Sequence, residues 1–326
     1  MKTVKYLAGA ALALALSANA TATFAHDVYA DDHAPIGVMG DHAHKKGEFM
    51  ISARVMHMEM SGNQIGTDEV SPDTIVTTVP NRFAGTPGQP PTLRIVPTEM
   101  RTDMVMLGAM YAPADAVTLM VMANYLEKEM DHTTYMGGMG TNVRGTFQTN
   151  PKALGDTKVS ALFPLLSHPE AGSMDTDELT LKAGVSLPTG STDETAQILT
   201  PMGTTPTVRT PYMMQMGTGT FDLEPAVTYK GRRGKIGFGA QASASIKLDD
   251  NKWGYAFGDV YEGTAWLSYR PAQWLSVSGR VKGRTMGQVE GIDPNIMGPV
   301  QTANPDFQGG ERIDLIGGIN LVGTHG

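Results

Sequence analysis

The residues with the most distinctive chemistry are methionines, which recur at every second position in three stretches of the chain. The sequence holds 22 methionines and no cysteine. A thioether sulfur is a soft ligand that favours Cu(I), but methionine is also a flexible apolar side chain that fills irregular interiors. Eight methionines share one face of three predicted strands: Met56, Met58, Met60, Met104, Met106, Met110, Met120 and Met122. They indicate an apolar lining or, as the alternative, a copper site.

A histidine-rich stretch at residues 26–47 is the second candidate for metal chemistry. Its four histidines are interleaved with aspartates, and imidazole binds Cu(II) and other transition metals. The simpler interpretation is an irregular, solvated segment. Copper is therefore the one cofactor that the sequence leaves open, with these candidate ligands: Met56, Met58, Met60, Met104, Met106, Met120, Met122, His42 and His44.

Catalytic patterns are weak throughout the sequence. The glycine-rich stretch Gly137–Gly140 lacks the strand-to-helix context of a phosphate-binding loop. The adjacent pairs Asp41–His42 and Asp131–His132 have no identifiable nucleophile to serve. We therefore predict that the protein is not an enzyme.

The first 25 residues have the three parts of a secretory signal. Lys2 and Lys5 form a basic end, Leu7–Leu16 is an apolar core, and small residues such as Ala18 and Ala20 offer a cleavage site. The sequence thus predicts an exported protein. The remaining chain has no apolar run of about 18 residues, which a membrane-spanning helix would need. A net charge of −8 argues against nucleic-acid partners.

Alternation of apolar and polar residues organises the rest of the chain, beginning with Arg101–Lys128. On both sides of a turn at Ala112–Ala116, one face is aliphatic with tyrosine near its ends, and the other carries methionine, asparagine and lysine. Period-two alternation predicts β-strands. Each run has about 9–11 residues, enough to cross a bilayer at a tilt. The stretch therefore predicts a hairpin with lipid on one side and a lumen on the other.

The same pattern predicts ten strands in all. Beyond the two in the Arg101–Lys128 hairpin, they are Phe49–Met60, Asp156–Leu166, Glu178–Pro188, Gly217–Tyr229, Lys235–Lys247, Val260–Tyr269, Trp274–Arg284 and Arg312–Val322. Long connections follow every odd-numbered strand and shorter ones follow the even-numbered strands, as in outer-membrane barrels. Tyr111, Tyr229 and Tyr269 end strands that enter short links, which is typical of an interface girdle. The predicted fold class is all-β, an antiparallel up-and-down transmembrane β-barrel.

The strand faces also predict which side chains point into the barrel. Strands one to three contribute a methionine-rich wall, and strands four to ten contribute a charged wall. The predicted lumen lining is Arg54, Met56, Met58, Met104, Met106, Met120, Met122, Asn124, Lys158, Lys182, Glu224, Glu262, Arg280 and Lys282. Such a lumen would suit an amphipathic solute, unless paired charges fill it.

Four stretches carry a resemblance to a known family. They are His33–Arg54, Met110–His132, Gly155–Leu165 and Leu181–Ser191. Together they resemble the MetA-pathway-of-phenol-degradation, or transporter-like, outer-membrane proteins. The resemblance implies an outer-membrane β-barrel with a transport role, and it brings no catalytic residues. Members of that family continue for about one more hairpin beyond the last strand seen here, so ten and twelve strands both stay open.

The expected organisation is a signal peptide at residues 1–25, a His/Asp-rich periplasmic segment at residues 26–47 and an outer-membrane barrel at residues 48–326. The expected location is the outer membrane of a Gram-negative bacterium, with membrane lipid as a partner. The leading function is passive transport of a small hydrophobic or amphipathic solute. The alternatives are a copper-handling protein that uses the methionine-lined lumen and the histidines, and a closed structural barrel whose outer loops bind a partner.

Overall fold

The structure, a computed structural model, describes residues 29–167 and 175–323. The predicted signal peptide lies outside these residues. One antiparallel sheet dominates them, and each long strand pairs with the next along the chain. Its strands are β1 Phe49–Ser61, β2 Ile95–Ala114, β3 Val117–Tyr135, β4 Thr157–Ser167, β5 Thr176–Leu187, β6 in two pieces (Asp222–Leu223 and Ala226–Arg233), β7 Ile236–Lys247, β8 Val260–Ala272, β9 Leu275–Met286 and β10 Gly310–Leu321. The predicted all-β, antiparallel up-and-down fold is confirmed.

The sheet curves around the N-terminal part of the described chain. Arg54 on β1 donates a hydrogen bond to Met39 (2.7 Å), and Gln241 on β7 donates to the carbonyl of the same residue (2.9 Å). On β9, Arg280 lies so close to Gly37 that a Cβ there would be 2.8 Å from its guanidinium. Because one short segment contacts strands near both ends of the sheet, the sheet must wrap into the shape of a barrel.

Two edge strands remain within the described residues. The strand order runs from β1 to β10, and each of these two strands has a ladder partner on one side only. Their outward residues are open, with Ile51 72% and Leu315 85% exposed. The described residues therefore supply ten positions of the sheet, and the choice between ten and twelve strands stays a prediction.

The barrel has two different ends. All five long connections emerge at one end, the loop end, and the short turns lie at the other, the turn end. Exposed tyrosines ring both: Tyr111, Tyr229 and Tyr269 near the turns, and Tyr125 and Tyr261 toward the loops. Between them the outward residues are mainly aliphatic. An apolar belt with aromatic rings at both margins is the surface expected of a protein that spans a membrane.

Strand β6 departs from its predicted bounds of Gly217–Tyr229. It begins at Asp222, breaks at Glu224–Pro225 and runs on to Arg233. Proline has no backbone N–H to donate to a neighbouring strand, which explains the break. Both pieces nevertheless lie between β5 and β7, so the predicted position of this strand in the barrel is correct.

The long connections form an ordered structure, which we call the loop cap (residues 62–94, 136–156, 188–221, 248–259 and 287–309). Its own hydrophobic cluster includes Tyr212, Tyr255 and Ile296, and the Arg94 guanidinium is buried against backbone carbonyls of the cap. Its short elements are the helix α1 Pro72–Thr78, the 3₁₀ turns Tyr212–Met214, Gln301–Ala303 and Pro305–Phe307, and the strands Gln64–Ile65, Asp68–Glu69, Val143–Thr149, Lys152–Leu154, Thr195–Gln197, Thr207–Arg209, Tyr255–Ala256 and Glu290–Gly291. Among the described residues, α1 and the turns are all too short or too polar to cross a membrane as a helix.

Candidate functional site

Residues 29–47 enter the barrel from the turn end and leave by the same end; we call them the inserted loop. At the start, the Ala30 amide donates to the Gln273 carbonyl (2.9 Å) in the turn between β8 and β9. At the finish, the His44 amide donates to Thr118 Oγ1 (2.8 Å) at the base of β3. The sequence predicted an irregular periplasmic segment that precedes the barrel. Within the described residues the segment is irregular, and it makes hydrogen bonds with Thr118, Arg54 and Gln241 of the barrel strands.

A buried charge fixes the first leg of the inserted loop. The Asp31 carboxylate pairs with Arg270 (3.0 Å) and lies 3.8 Å from Arg232. The Arg270 guanidinium also stacks over the Tyr29 ring, 3.8 Å from its centre. Removing one partner from a buried ion pair typically costs about 3–5 kcal/mol. The leg is therefore firmly attached to the wall of the barrel.

Above the inserted loop lies a cavity of about 620 Å³. Gly37 and Met39, at the tip of the loop, form part of its floor, and Tyr212, Met213 and Gln215 of the loop cap form part of its roof. Its volume is within the range of about 300–1,000 Å³ that small-molecule sites occupy. The site is thus a chamber in the barrel that lies between the inserted loop below and the loop cap above.

One wall of the cavity is rich in methionine. Met104, Met106 and Met122 line it, with Asn124 beside them. Successive side chains of a strand point to opposite faces of the sheet. These residues therefore project inward, while residues that alternate with them along β2 and β3 project outward; Leu107, for example, is 58% exposed on the outer face. The wall combines soft apolar surface with one amide that can accept or donate a hydrogen bond.

Below this wall the methionines pack against the inserted loop. Met110, Met120, Met122 and Leu162 form a buried cluster, and Met39 from the loop packs on it. Apolar packing of this kind uses the flexible shape of methionine and does not require a metal. The contacts therefore favour the lining interpretation of Met120 and Met122, the two candidate copper ligands in this cluster.

The opposite wall is charged, but its charges are paired. Lys158 forms an ion pair with Glu224, and Lys182 Nζ lies 3.8 Å from the other oxygen of the same carboxylate. Further round the barrel, Lys282 Nζ lies 3.4 Å from Glu262. All of these were predicted to face the lumen. Their pairing makes the wall polar without a large excess of either charge.

Four further residues of the predicted lining, Arg54, Met56, Met58 and Arg280, lie elsewhere along the strands, as does Met60 of the candidate copper ligands. Arg54 and Arg280 contact the tip of the inserted loop. Met56 and Met58 are half-buried along β1, and Met60 is exposed near its loop end. Arg54 and Arg280 therefore act on the floor of the cavity, where they hold the loop in place.

The neck of the inserted loop carries a cluster of imidazoles and a carboxylate. His33 Nδ1 lies 3.3 Å from His42 Nδ1, which lies 2.9 Å from Asp41 Oδ1. The other oxygen of Asp41 accepts a hydrogen bond from the Ala34 amide (2.7 Å). Burial alone would raise the pKa of the Asp41 carboxyl, but the hydrogen bonds from His42 and Ala34 lower it below its ordinary value. The His44 ring packs edge-on against His42.

His33 and Asp41 lie in the histidine-rich stretch that the sequence indicated for metal chemistry, but the candidate ligands chosen from it were His42 and His44. Nothing in the strand pattern shows that the loop folds back on itself and brings His33 and Asp41 to His42. The available signal was a pair of glycines. Gly37 and Gly40 have positive φ angles of 96° and 67°, which glycine adopts readily. Together they reverse the chain, so the two legs run side by side and their polar residues meet.

Comparisons with known proteins add little to this geometry. No protein-family model matches the chain, and no curated protein matches it. Among solved structures, the chain is similar to an outer membrane channel from Pseudomonas putida F1, with 13% sequence identity over 87% of this chain and 86% of that chain and a TM-score of 0.49. So weak a likeness does not decide the family, and the resemblance to the transporter-like outer-membrane proteins stays a prediction.

Proposed function

We propose that this protein is an outer-membrane barrel that lets a small hydrophobic or amphipathic solute cross passively. The observation that carries the proposal is the cavity of about 620 Å³ between the inserted loop and the loop cap. A solute with one apolar side and one polar end would match its methionine wall and its charged wall. Apolar contact supplies affinity, and a few polar groups orient the ligand.

The outer surface supports the membrane part of the proposal. Exposed aliphatic residues such as Leu107, Leu119 and Val121 project from adjacent strands, and Tyr111 and Tyr125 lie at the margins of this belt. In water such a surface would favour aggregation, whereas in lipid it is the normal exterior of a barrel. With the predicted export signal, it makes an outer membrane the expected location.

The same arrangement implies slow and selective passage. The inserted loop narrows the barrel from below, and Lys128 Nζ bonds to the carbonyls of Met213 (2.7 Å) and Gln215 (2.6 Å), which ties the roof to β3. A solute would have to pass beside both. We therefore expect a small single-channel conductance and a preference for molecules that the methionine wall can bind.

The test is conductance in planar bilayers combined with uptake of an aromatic carboxylate into proteoliposomes. Met104→Leu keeps an apolar side chain of similar volume at the cavity wall, and Met104→Gln replaces it with a polar one of similar length. We expect uptake by the Leu variant to match the unsubstituted protein and uptake by the Gln variant to fall severalfold. Small-ion conductance should be equal in both.

Two other outcomes would contradict the proposal. Folded protein with neither conductance nor uptake would favour the closed barrel whose outer loops bind a partner. The ordered loop cap, which has its own hydrophobic cluster, would supply the surface for that partner. Uptake that is equal in the Leu and Gln variants would show that the methionine wall does not select the solute.

A further inference from the structure

The neck of the inserted loop brings three ligating atoms together from two separate parts of the chain. His33 lies on the leg that enters the barrel, and Asp41 and His42 lie on the leg that leaves it. One ligand atom from each of the three residues lies within 4.8 Å of the others. Eight intervening residues, including the turn at Gly37–Gly40, separate His33 from His42, so the cluster is a product of the fold.

The distances match those between ligands of one metal ion. Two nitrogens bound to Zn²⁺ at about 2.0–2.1 Å with a tetrahedral angle are separated by about 3.3 Å. The Nδ1 atoms of His33 and His42 are 3.3 Å apart. Asp41 Oδ1 and His42 Nδ1 are 2.9 Å apart. Two ligand atoms with the same bond lengths to one ion are about 2.9 Å apart when the angle between the two bonds is a right angle. Little rearrangement would be needed to place an ion between the three atoms.

Hydrogen bonding alone satisfies this cluster poorly. A neutral imidazole has one N–H and one lone pair, and a carboxylate only accepts. If His42 Nδ1 carries a hydrogen and donates it to Asp41, a lone pair on His33 Nδ1 can accept only from that same hydrogen. Within the described residues, the Nε2 atoms of His42 and His44 are also buried without a hydrogen-bond partner. A bound cation would use the lone pairs of His33, Asp41 and His42 together.

The cluster is open to ions from the turn end of the barrel. His33, His42 and His44 line a second cavity, of about 300 Å³, which lies on the other side of the loop from the solute cavity. Asp31, Asp32 and Glu178 also line it, and they are paired with Lys230 and Arg232 of the same lining. The charges of this lining therefore largely balance, and the imidazoles and Asp41 would supply the attraction for a cation.

We propose that His33, Asp41 and His42 form a site for a divalent transition-metal ion of the zinc class at the neck of the inserted loop. Two imidazoles and one carboxylate are a ligand set that such ions accept, with a fourth position left for water. The site shares only His42 with the copper ligands considered above, and it replaces their thioethers with a second imidazole and a carboxylate. Because the ligands come from both legs of the inserted loop, a bound ion would link the two legs. It would thereby fix the tip of the loop, which forms the floor of the solute cavity.

The experiment is a titration of the folded full-length exported protein, purified without a polyhistidine tag, with Zn²⁺ by calorimetry and with Co²⁺ by visible absorption. We expect one equivalent to bind and the absorption bands of a Co²⁺ site with nitrogen ligands to appear. His33→Ala is the main variant, because this ring is exposed and its loss should leave the fold intact. Mutation of residues that only support the metal ligands usually weakens metal binding about 10–100-fold. Loss of a ligand itself should weaken binding by more than this.

His57→Ala is the matched control. This histidine also lies beside carboxylates, 2.6 Å from Asp103 and 3.4 Å from Glu59, but on the outer face of β1. Binding should be unchanged in His57→Ala and lost in both His33→Ala and Asp41→Asn. Absence of stoichiometric binding in the unsubstituted protein, or equal binding in His33→Ala and His57→Ala, would overturn the proposal. Neither result depends on transport, so the metal site and the channel can fail separately.

Discussion

At the scale of single residues, Asp156 shows how two of the stretches that resemble the outer-membrane family come together. Its carboxylate accepts hydrogen bonds from the amides of Gly190 (2.9 Å) and Thr218 (2.7 Å). A Cβ on Gly190 would lie 2.7 Å from the Cα of Gly217, so glycine is required where these backbones touch. Asp156 and Gly190 belong to the motifs GDTKV and LPTGS, whose spacing therefore has a structural reason at the loop end of the barrel.

The two faces of β2 give a prediction at the residue scale. Leu107→Arg should impair folding, because Leu107 is exposed in the middle of the apolar belt and a lipid-facing arginine near the midplane costs about 2–4 kcal/mol. Met104→Arg, on the same strand but facing the cavity, should be tolerated better. Heat-resistant migration on gels and urea unfolding in detergent would compare them. A larger loss of stability in Met104→Arg would mean that the faces are reversed.

At the scale of elements, the strands and the alternation of long and short connections were predictable, and the structure within the connections was not. Alternation located β1, β7 and β9 to within a few residues, because inward and outward positions in a barrel meet opposite environments. The extension of β2 and β3 beyond the belt was missed, since there both faces are polar or covered by the loop cap. The inserted loop was missed because its contacts depend on residues about 200 positions away, and no local pattern records them.

The arrangement of the connections gives a prediction at the element scale. Met139 and Met202, in the loop cap, are 80% and 77% exposed, and Ala116 is exposed in the short turn between β2 and β3. In a chain without native cysteine, Met139→Cys and Met202→Cys should react with an impermeant thiol reagent on intact cells. Ala116→Cys should react only after the outer membrane is permeabilised. Equal labelling of all three in intact cells would contradict the orientation.

At the scale of the whole molecule, the barrel and the inserted loop are one structure. The loop contacts β1, β7 and β9 through Met39 and Gly37, and its tip forms the floor of the cavity that is proposed to bind solute. In the proposed function, solute passage would depend on the fit of the loop inside the barrel as much as on the barrel itself. This dependence can be tested by shortening the loop.

Deleting residues 34–41 should open the barrel. His33 and His42 lie side by side, so the deletion joins two positions that are already close, and the strands are untouched. We expect the single-channel conductance to rise severalfold, because the floor of the cavity is removed. A deletion of residues 85–88, an exposed turn of the loop cap, is the control and should not raise it. Unchanged conductance after the first deletion would show that passage is limited elsewhere.

The position of the inserted loop in the chain also has a consequence for the order of folding. Asp32 accepts a hydrogen bond from Lys230, 198 residues later, and Met39 from Gln241, 202 residues later. Contacts between residues so far apart in sequence form slowly, because a long stretch of chain must be closed before they can be made. Although the loop precedes every strand, it cannot acquire its final contacts until the later strands are in place. A segment that is made before any strand of the barrel is therefore among the last to become ordered.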